Sequence, residues 1–147
     1  MIEIKVLNPQ DAGVLANIAP DVFDDTIDVG RSNEFLADPR HHLVVAVDDG
    51  QIVGFVSAVH YIHPDKPHPE LWINEIGVAA THRGRGLGTR LLRSLLAAAQ
   101  GLGCAEAWVL TDRANAAAMR LYAAIGSTRP TDHVMFTFRL GGQYNRA

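Results

Sequence analysis

Residues 70–91 read ELWINEIGVAATHRGRGLGTRL, and the rest of the chain is best understood from this stretch. It opens with apolar residues typical of a strand, crosses a turn of alternating arginine and glycine at 83–88, and continues as an amphipathic helix pattern. Glycine lets backbone N–H groups close around a ligand, and the start of a helix adds further N–H groups and a positive dipole end. With Arg83 and Arg85 beside those groups, the turn predicts binding of a multiply charged anion such as a pyrophosphate.

Three known phosphate-binding patterns compete for this turn. A P-loop requires a lysine after its glycines, whereas the only two lysines of the chain lie elsewhere, at positions 5 and 66. A Rossmann fingerprint requires a third glycine where this chain has Thr89. The pattern that fits is Arg83-x-x-Gly86-x-Gly88, which resembles the acetyl-CoA signature of the GNAT N-acetyltransferase superfamily. The alternative interpretation is an ordinary glycine-rich turn between a strand and a helix.

Length and composition indicate one soluble globular domain over residues 1–147. Apolar residues make up 48% and charged residues 20% of the chain, as in ordinary globular proteins. The sequence contains no apolar run near the roughly 18 residues that a membrane helix needs, so we expect no membrane partner. Cys104 is the only cysteine, which excludes an internal disulfide. With no signal-peptide pattern at the N-terminus, a cytoplasmic location is expected.

The net charge of −3 conceals two regions of opposite sign. Residues 11–49 contain nine acidic side chains against two arginines, whereas residues 83–93 contain four arginines and no acid. The first region therefore favours a cation and the second a polyanion. Nucleic acid is not expected as a partner, because the arginines are confined to one turn and its helix. The seven histidines lack the spacing of a metal site, so no metal is predicted.

The periodicity of the chain predicts the element order β-α-α-β-β-β-α-β-α-β. Strand and helix alternate in the second half, which indicates an α+β (mixed α/β) fold with helices on both faces of a mixed sheet. The predicted strands are 2–6, 43–47, 52–62, 71–79, 105–111 and 133–140. The predicted helices begin at Pro9, span about 31–37, run from near Gly86 to Gly101 or Gly103, and run from 112 or 113 to 125. Residues 141–147 are expected to form a frayed tail.

This order is also that of the GNAT fold, and the resemblance covers nearly the whole chain. A second GNAT pattern, Asn115-x-x-Ala118-x-x-Leu121-Tyr122-x-x-x-Gly126, lies on the last predicted helix. The resemblance implies acetyl-CoA as co-substrate, without a metal. The residues that it places near the cofactor are Ile76, Gly77, Val78, Arg83, Gly84, Arg85, Gly86, Leu87, Gly88, Thr89 and Asn115. For Asn115 a plain helix cap is an equal alternative.

Acetyl transfer to an amine requires a base, because the amine is protonated at neutral pH. Glu75 is the candidate. Strict alternation along its strand would put Glu75 on one face with Leu71 and Ile73, where partial burial would raise its pKa and strengthen it as a base. A structural carboxylate paired with a basic neighbour is the alternative. GNAT enzymes often place their base, acting directly or through water, on this strand.

The resemblance implies two further catalytic groups. A backbone N–H near Val78 would stabilise the oxyanion. Tyr122 would protonate the departing thiolate, which a phenol of pKa near 10 can do at modest cost to a thiolate of pKa about 8.5. A tyrosine between Leu121 and Ile125 is otherwise ordinary core.

Within the superfamily, residues 69–83 are similar to the aminoglycoside 3-N-acetyltransferase type I branch. That branch has a proline-bearing loop and a carboxylate matching Glu75, although its usual residue is aspartate, and Asn74 replaces an aromatic. Four aspartates in the preceding segment are candidates to bind the ammonium groups of a polycationic substrate: Asp21, Asp24, Asp25 and Asp28. A solvated acidic loop is the alternative.

Other acceptors and another class of protein stay open at this point. A polyamine, or an amine of a protein or peptide, is the alternative acceptor. A non-catalytic acetyl-CoA-binding sensor is the alternative outside the enzymes, although Glu75 and Tyr122 beside the cofactor turn argue against it. By analogy with relatives we expect a homodimer, to which Val134, Phe136 and Phe138 are candidates to contribute.

Overall fold

The computed structural model describes residues 1–141, in which five strands form one sheet in the order β1-β2-β3-β4-β5. Neighbouring strands are antiparallel as far as β4, and β5 runs parallel to β4. The strands are β1 (Ile2–Val6), β2 (His41–Asp48), β3 (Gln51–Tyr61), β4 (Glu70–Val78) and β5 (Glu106–Val109). The α-helices are α1 (Val29–Ala37), α2 (Leu87–Gly101) and α3 (Ala116–Ala124), with short 3-10 helices at Pro9–Ala16 and Ala80–His82. The mixed sheet predicted from the sequence is confirmed.

Helices cover both faces of this sheet, as two consecutive residues of β3 show. A Cβ atom at Gly54 would lie 3.3 Å from Leu91 of α2, whereas the ring of the next residue, Phe55, stacks on Phe23 at 3.9 Å between centroids. Successive residues of a strand point to opposite faces. We call the side of Gly54 the α2 face and the side of Phe55 the lid face. The lid face is covered by α1 and by residues 19–28, which we call the acidic segment.

The core lies mainly between α2 and the sheet. Apolar residues recur along α2 at helical spacing, and Leu91, Leu92 and Leu95 are almost completely buried against strand residues such as Val44 and Val56. Burying such a side chain contributes about 2 kcal/mol, so the apolar face holds α2 against the sheet. The predicted helix after the glycine turn is confirmed, with Arg90, Arg93 and Gln100 on its exposed side.

The N-terminal elements follow the sequence pattern with one change of helix type. Asn8 accepts a hydrogen bond from the Gln10 N–H and Asp11 accepts one from the Asn8 N–H, and Pro9 begins the helix as predicted. The helix itself is a 3-10 helix and not an α-helix. The predicted second helix is confirmed as α1, and it ends before Pro39.

The predicted strand at 133–140 is wrong. The structure has no strand in this stretch, and its large apolar side chains, including Val134, Phe136 and Phe138, are about four-fifths exposed. Alternation of apolar and polar residues shows what a segment is able to bury, but a strand also requires a hydrogen-bonding partner edge. The predicted tail falls mostly on residues 142–147, which lie outside the described residues.

The strand predicted at 105–111 is present but shorter, as β5 at Glu106–Val109. The helix predicted to start at 112 or 113 begins later, at Ala116. Asp112 instead accepts a hydrogen bond from the Ala114 N–H, and this turn delays the helix until the Asn115 cap. In the described part of the chain, the helices are too short or too polar to cross a membrane.

A histidine pair lies at the far end of the sheet from the glycine turn. His42 on β2 and His60 on β3 share a hydrogen bond of 2.7 Å between Nε2 and Nδ1, and their rings stack. Burial lowers the pKa of His42 below its ordinary value, and positive charge on His60 and His41 would lower it further. His42 is therefore held neutral in the folded protein at neutral pH.

This pair predicts a pH-dependent loss of stability. The unfolded chain protonates His42 near pH 6.5, whereas the folded protein resists protonation until a lower pH. The free energy of unfolding should therefore fall as the pH drops from above 6.5 through the lowered pKa of His42. We expect His42→Asn to flatten this slope in urea unfolding curves at about pH 7.5 and about pH 5.5. His68→Asn, in an exposed loop, is the control and should keep the wild-type slope.

Candidate active site

The candidate base lies beside an irregularity of β4. Ser57 pairs with Glu75 and the next residue, Ala58, pairs with Ile73, so Asn74 is an extra residue in a β-bulge. Because the bulge shifts the alternation by one residue, Glu75 and Ile73 point to opposite faces. Glu75 lies on the lid face, two residues before Gly77, and it is exposed.

The expectation that Glu75 shares a half-buried face with Leu71 and Ile73 is therefore wrong. Those two side chains are buried on the α2 face, whereas Glu75 faces the lid. Among residues 1–141, no side chain forms an ion pair with the Glu75 carboxylate. The alternative role of Glu75, as a structural carboxylate paired with a basic neighbour, is therefore not supported. Its carboxylate is thus accessible to an amine from solvent.

Strands β4 and β5 separate just beside this carboxylate. Their parallel pairing runs from Glu70/Glu106 to Ile73/Val109 and stops there. Strand β4 continues to Val78, and in the described part of the chain residues 75–78 pair only with β3. The two strands therefore splay apart, which leaves an open backbone edge at residues 74–78. Such an edge has unpaired N–H and C=O groups that can bind an extended ligand.

The glycine turn follows immediately and leads into α2. Gly84 and Gly86 both have φ of +76°, a backbone conformation that glycine adopts readily, and Gly86 caps the start of α2. The first α2 residues, Leu87, Gly88 and Thr89, thus point their N–H groups toward the turn. Arg83 donates from Nε to the Val78 carbonyl at 3.0 Å, and Arg85 is exposed. This geometry suits the predicted polyanion.

A histidine–aspartate pair anchors the turn to the sheet. His82 lies 2.7 Å from Asp48 at the end of β2, and its other ring nitrogen lies 2.8 Å from the Thr81 hydroxyl. The hydrogen bond with His82 is the main cause that lowers the pKa of Asp48. The sequence gives no signal for this pair, because the two residues are separated by 34 positions.

Helix α3 brings the second candidate catalytic residue toward the turn. A Cβ at Gly88 would lie 3.2 Å from Leu121, so α3 packs directly on the first turn of α2. Tyr122 follows Leu121 and is half-buried, and burial raises the pKa of its phenol. The hydroxyl therefore keeps its proton at neutral pH. Asn115 accepts a hydrogen bond from the Ala118 N–H and caps α3.

The acidic segment lies against the same region of β4 on the lid face. The Val22 carbonyl is so close to Gly77 that a Cβ atom there would collide with it, and Phe23 stacks on Phe55. The four aspartates of this segment, Asp21, Asp24, Asp25 and Asp28, are exposed. Asp28 also caps α1 by accepting a hydrogen bond from the Arg31 N–H at 2.7 Å. Residues 1–141 contain no cluster of three or more potential metal ligands.

Two groups of candidate residues therefore meet at the end of β4. Residues 76–78 border the splay and residues 83–89 form the glycine turn, whereas Asn115, also predicted to lie near the cofactor, caps α3. The acidic segment lies on the lid face. Residues 14–126 match the family model described as acetyltransferase (GNAT) family. The chain belongs to the GNAT acetyltransferase family. As a GNAT protein it is an N-acetyltransferase, and the model match spans both the splay and the glycine turn.

Individual relatives of this GNAT protein act on different amines. The chain is 35% identical over 130 residues to the N-alpha-acetyltransferase RimI of Mycobacterium tuberculosis, covering 87% of this chain and 79% of the relative. It is 45% identical over 53 residues to an L-2,4-diaminobutyric acid acetyltransferase of Virgibacillus pantothenticus, covering 36% of this chain and 31% of that protein. An aminoglycoside acetyltransferase from an uncultured soil metagenomic sample, solved with sisomicin, superposes with a TM-score of 0.81. That structure shares 18% identity, with 95% of this chain and 97% of the other covered, which shows the common fold.

The turn gives a direct prediction for cofactor affinity. Arg85→Gln should weaken acetyl-CoA binding about ten-fold or more, since a hydrogen bond to a charged group contributes about 1.5–3 kcal/mol. Isothermal titration of acetyl-CoA measures this. Arg93→Gln removes the same charge from the exposed side of α2 and should leave affinity nearly unchanged. Equal losses in both variants would point to general electrostatic attraction and not to a contact at the turn.

Proposed function

We propose that this GNAT enzyme transfers an acetyl group from acetyl-CoA to a primary amine of a polycationic small molecule. An aminoglycoside is the first candidate, with 3-N-acetylation as in the type I branch that residues 69–83 resemble. The observation that carries the proposal is the contact between the acidic segment and Gly77, on the lid face that also presents Glu75.

Charge supports a cationic acceptor on this face. Residues 19–28 contain four aspartates and no basic residue, and the exposed Glu75 carboxylate lies two residues before Gly77, which this segment contacts through Val22. Several carboxylates around one opening attract a polycation and raise its local concentration. A rigid molecule with several ammonium groups gains binding energy from several of these carboxylates, whereas a monoamine would pair with only one.

The acetyl-CoA site is proposed along the open edge of β4 and at the glycine turn that follows it. The N–H groups of Leu87, Gly88 and Thr89, with Arg83 and Arg85, suit the pyrophosphate. The open edge at Ile76, Gly77 and Val78 suits the extended amide-bearing arm, which ends beside Glu75. Acetyl-CoA supplies the activated thioester, which is the acyl donor.

The residues of the chain would then supply the proton transfers. Glu75, directly or through a water molecule, would take the proton from the ammonium group, so that the neutral amine can attack the thioester carbonyl. The N–H near Val78 would donate to the carbonyl oxygen as negative charge develops on it. Tyr122, protonated because burial raises the pKa of its phenol, would give a proton to the departing sulfur.

Two relatives support small amine substrates and one supports a peptide. The structural neighbour solved with sisomicin is an aminoglycoside acetyltransferase, and the partial match is to an enzyme named for a diamino acid. The 35% identity to RimI favours N-alpha-acetylation of a protein as the second candidate. An acidic groove also attracts basic peptides and polyamines. A homodimer and a cytoplasmic location are further parts of this proposal.

The test is release of thiol from acetyl-CoA with matched amines. The panel contains sisomicin, spermidine and a short peptide with a free N-terminal alanine, each at the same concentration. The proposal expects the highest kcat/KM with sisomicin. Preference for the peptide would replace the aminoglycoside by the protein N-terminus as substrate. Tight binding of acetyl-CoA without release of thiol with every amine would favour the non-catalytic sensor.

A further inference from the structure

A row of three side chains crosses the lid face beside Glu75. His41 of β2, Val59 of β3 and Trp72 of β4 are register partners in neighbouring strands, so all three point to this face. Neighbouring strands lie about 4.8 Å apart, which places the backbones of His41 and Trp72 about 10 Å from each other. Valine is shorter than either neighbour. The row therefore forms a slot with Val59 as its floor and His41 and Trp72 as its walls.

A stacked aromatic ring holds each of the two walls in place. Trp72 stacks on Trp108 of β5 with an interplanar angle of 9° and 5.4 Å between ring centroids, and the Trp108 N–H donates to the Tyr61 hydroxyl. On the other side, His41 stacks on Phe35 of α1 at 4.7 Å. Trp72 remains 40% exposed, although its strand neighbours Leu71 and Ile73 are buried. An indole held on one face and open elsewhere is suited to stack on a ligand.

Glu75 lies at one end of this slot. Its partner Ser57 and the floor residue Val59 are two residues apart on β3, so Glu75 and Trp72 are separated by about 7 Å along the sheet. Glu70, at the other end, is already engaged by His63 at 2.9 Å and Lys66 at 3.9 Å. The carboxylate available to a cation in the slot is therefore that of Glu75.

We propose that the slot between Trp72 and His41 takes one saturated, amine-bearing ring of the substrate, stacked on Trp72, with its reactive nitrogen at Glu75. This inference rests on the proposed function and narrows it to cyclic amines such as amino sugars. With the two backbones about 10 Å apart, the space above Val59 accommodates one saturated ring in van der Waals contact with the side chains on both sides. A positively charged ring substituent gains further from the indole face. A linear amine reaches Glu75 but fills the slot poorly, so Trp72 is a specificity-determining residue.

The test compares a cyclic and a linear amine in Trp72→Ala and Trp72→Phe. With sisomicin, we expect KM to rise about ten-fold in Trp72→Ala and less in Trp72→Phe, with kcat nearly unchanged. A ten-fold change corresponds to about 1.4 kcal/mol, which is within the range of one cation–π contact. With spermidine, KM should stay within about two-fold of wild type. Ile62→Ala, which removes an exposed apolar side chain just beyond β3, is the control and should change neither value.

A binding measurement separates this inference from the proposed function. Trp72 and Trp108 are the only tryptophans of the chain, so intrinsic fluorescence reports on the slot directly. Saturable quenching by sisomicin without acetyl-CoA, with a higher apparent Kd in Trp72→Phe, supports the slot even if sisomicin is not acetylated. Acetylation of sisomicin with an unchanged KM in Trp72→Ala, or loss of spermidine turnover equal to that of sisomicin, overturns the slot and leaves the proposed function standing.

Discussion

Glu75→Gln should lower kcat/KM for the amine by about 10²–10⁴-fold, the usual range for loss of a general base. The carboxamide has nearly the same shape but cannot accept the proton of an ammonium group. Because Glu75 is exposed and forms no ion pair among residues 1–141, its replacement should leave the melting temperature nearly unchanged. Steady-state thiol release and thermal unfolding of the same samples measure both quantities.

The matched control is Glu3→Gln, which makes the same change at an exposed position of β1. It should retain full activity. Loss of activity in Glu75→Gln that is restored when the amine concentration is raised would show that Glu75 only attracts the substrate. A variant with wild-type kcat and KM would contradict the assignment of Glu75 as base.

Gly77→Ala should displace the acidic segment from the sheet. The added Cβ collides with the Val22 carbonyl and lies 2.9 Å from the Phe55 ring, so the segment or the strand has to move. Overpacking of this kind costs about 1–3 kcal/mol in the free energy of unfolding. Since the four aspartates belong to the displaced segment, we also expect KM for a polycationic amine to rise more than KM for acetyl-CoA.

Gly101→Ala is the control for this substitution. No atom lies within 4 Å of the Cβ it adds at the exposed end of α2, so stability should stay the same or increase by up to about 1 kcal/mol. Urea unfolding of both variants gives the comparison. If Gly77→Ala were as stable and as active as wild type, the close contact between the acidic segment and β4 would not exist in solution.

The glycine turn and the helices beside it could be predicted because local chemistry specifies them. The glycine–arginine turn needs Gly84 and Gly86 at positive φ, the Asn8 cap and Pro9 start a helix, and the apolar spacing of α2 allows one buried side. These signals lie within a few residues of one another. The prediction therefore required no knowledge of distant contacts.

The parts that were predicted wrongly depend on pairing between distant segments. The face of Glu75 is decided by a bulge at Asn74, which exists only because Ser57 and Ala58 pair with residues on either side of it. A strand at 133–140 needs a partner edge, and alternation alone does not supply one. The slot beside Trp72 likewise comes from register partners on three strands, and sequence spacing gives no signal for it.

The reaction product shows whether this protein acetylates a primary amine of an aminoglycoside with Glu75 as base. The enzyme is incubated with acetyl-CoA and sisomicin, and the amine is examined by mass spectrometry and NMR while free CoA is quantified. We expect sisomicin carrying one acetyl group on a primary amine, one equivalent of CoA released per acetyl group, and no product with Glu75→Gln on the same timescale. Bound acetyl-CoA with no acetylated product from sisomicin, spermidine or the peptide would contradict it.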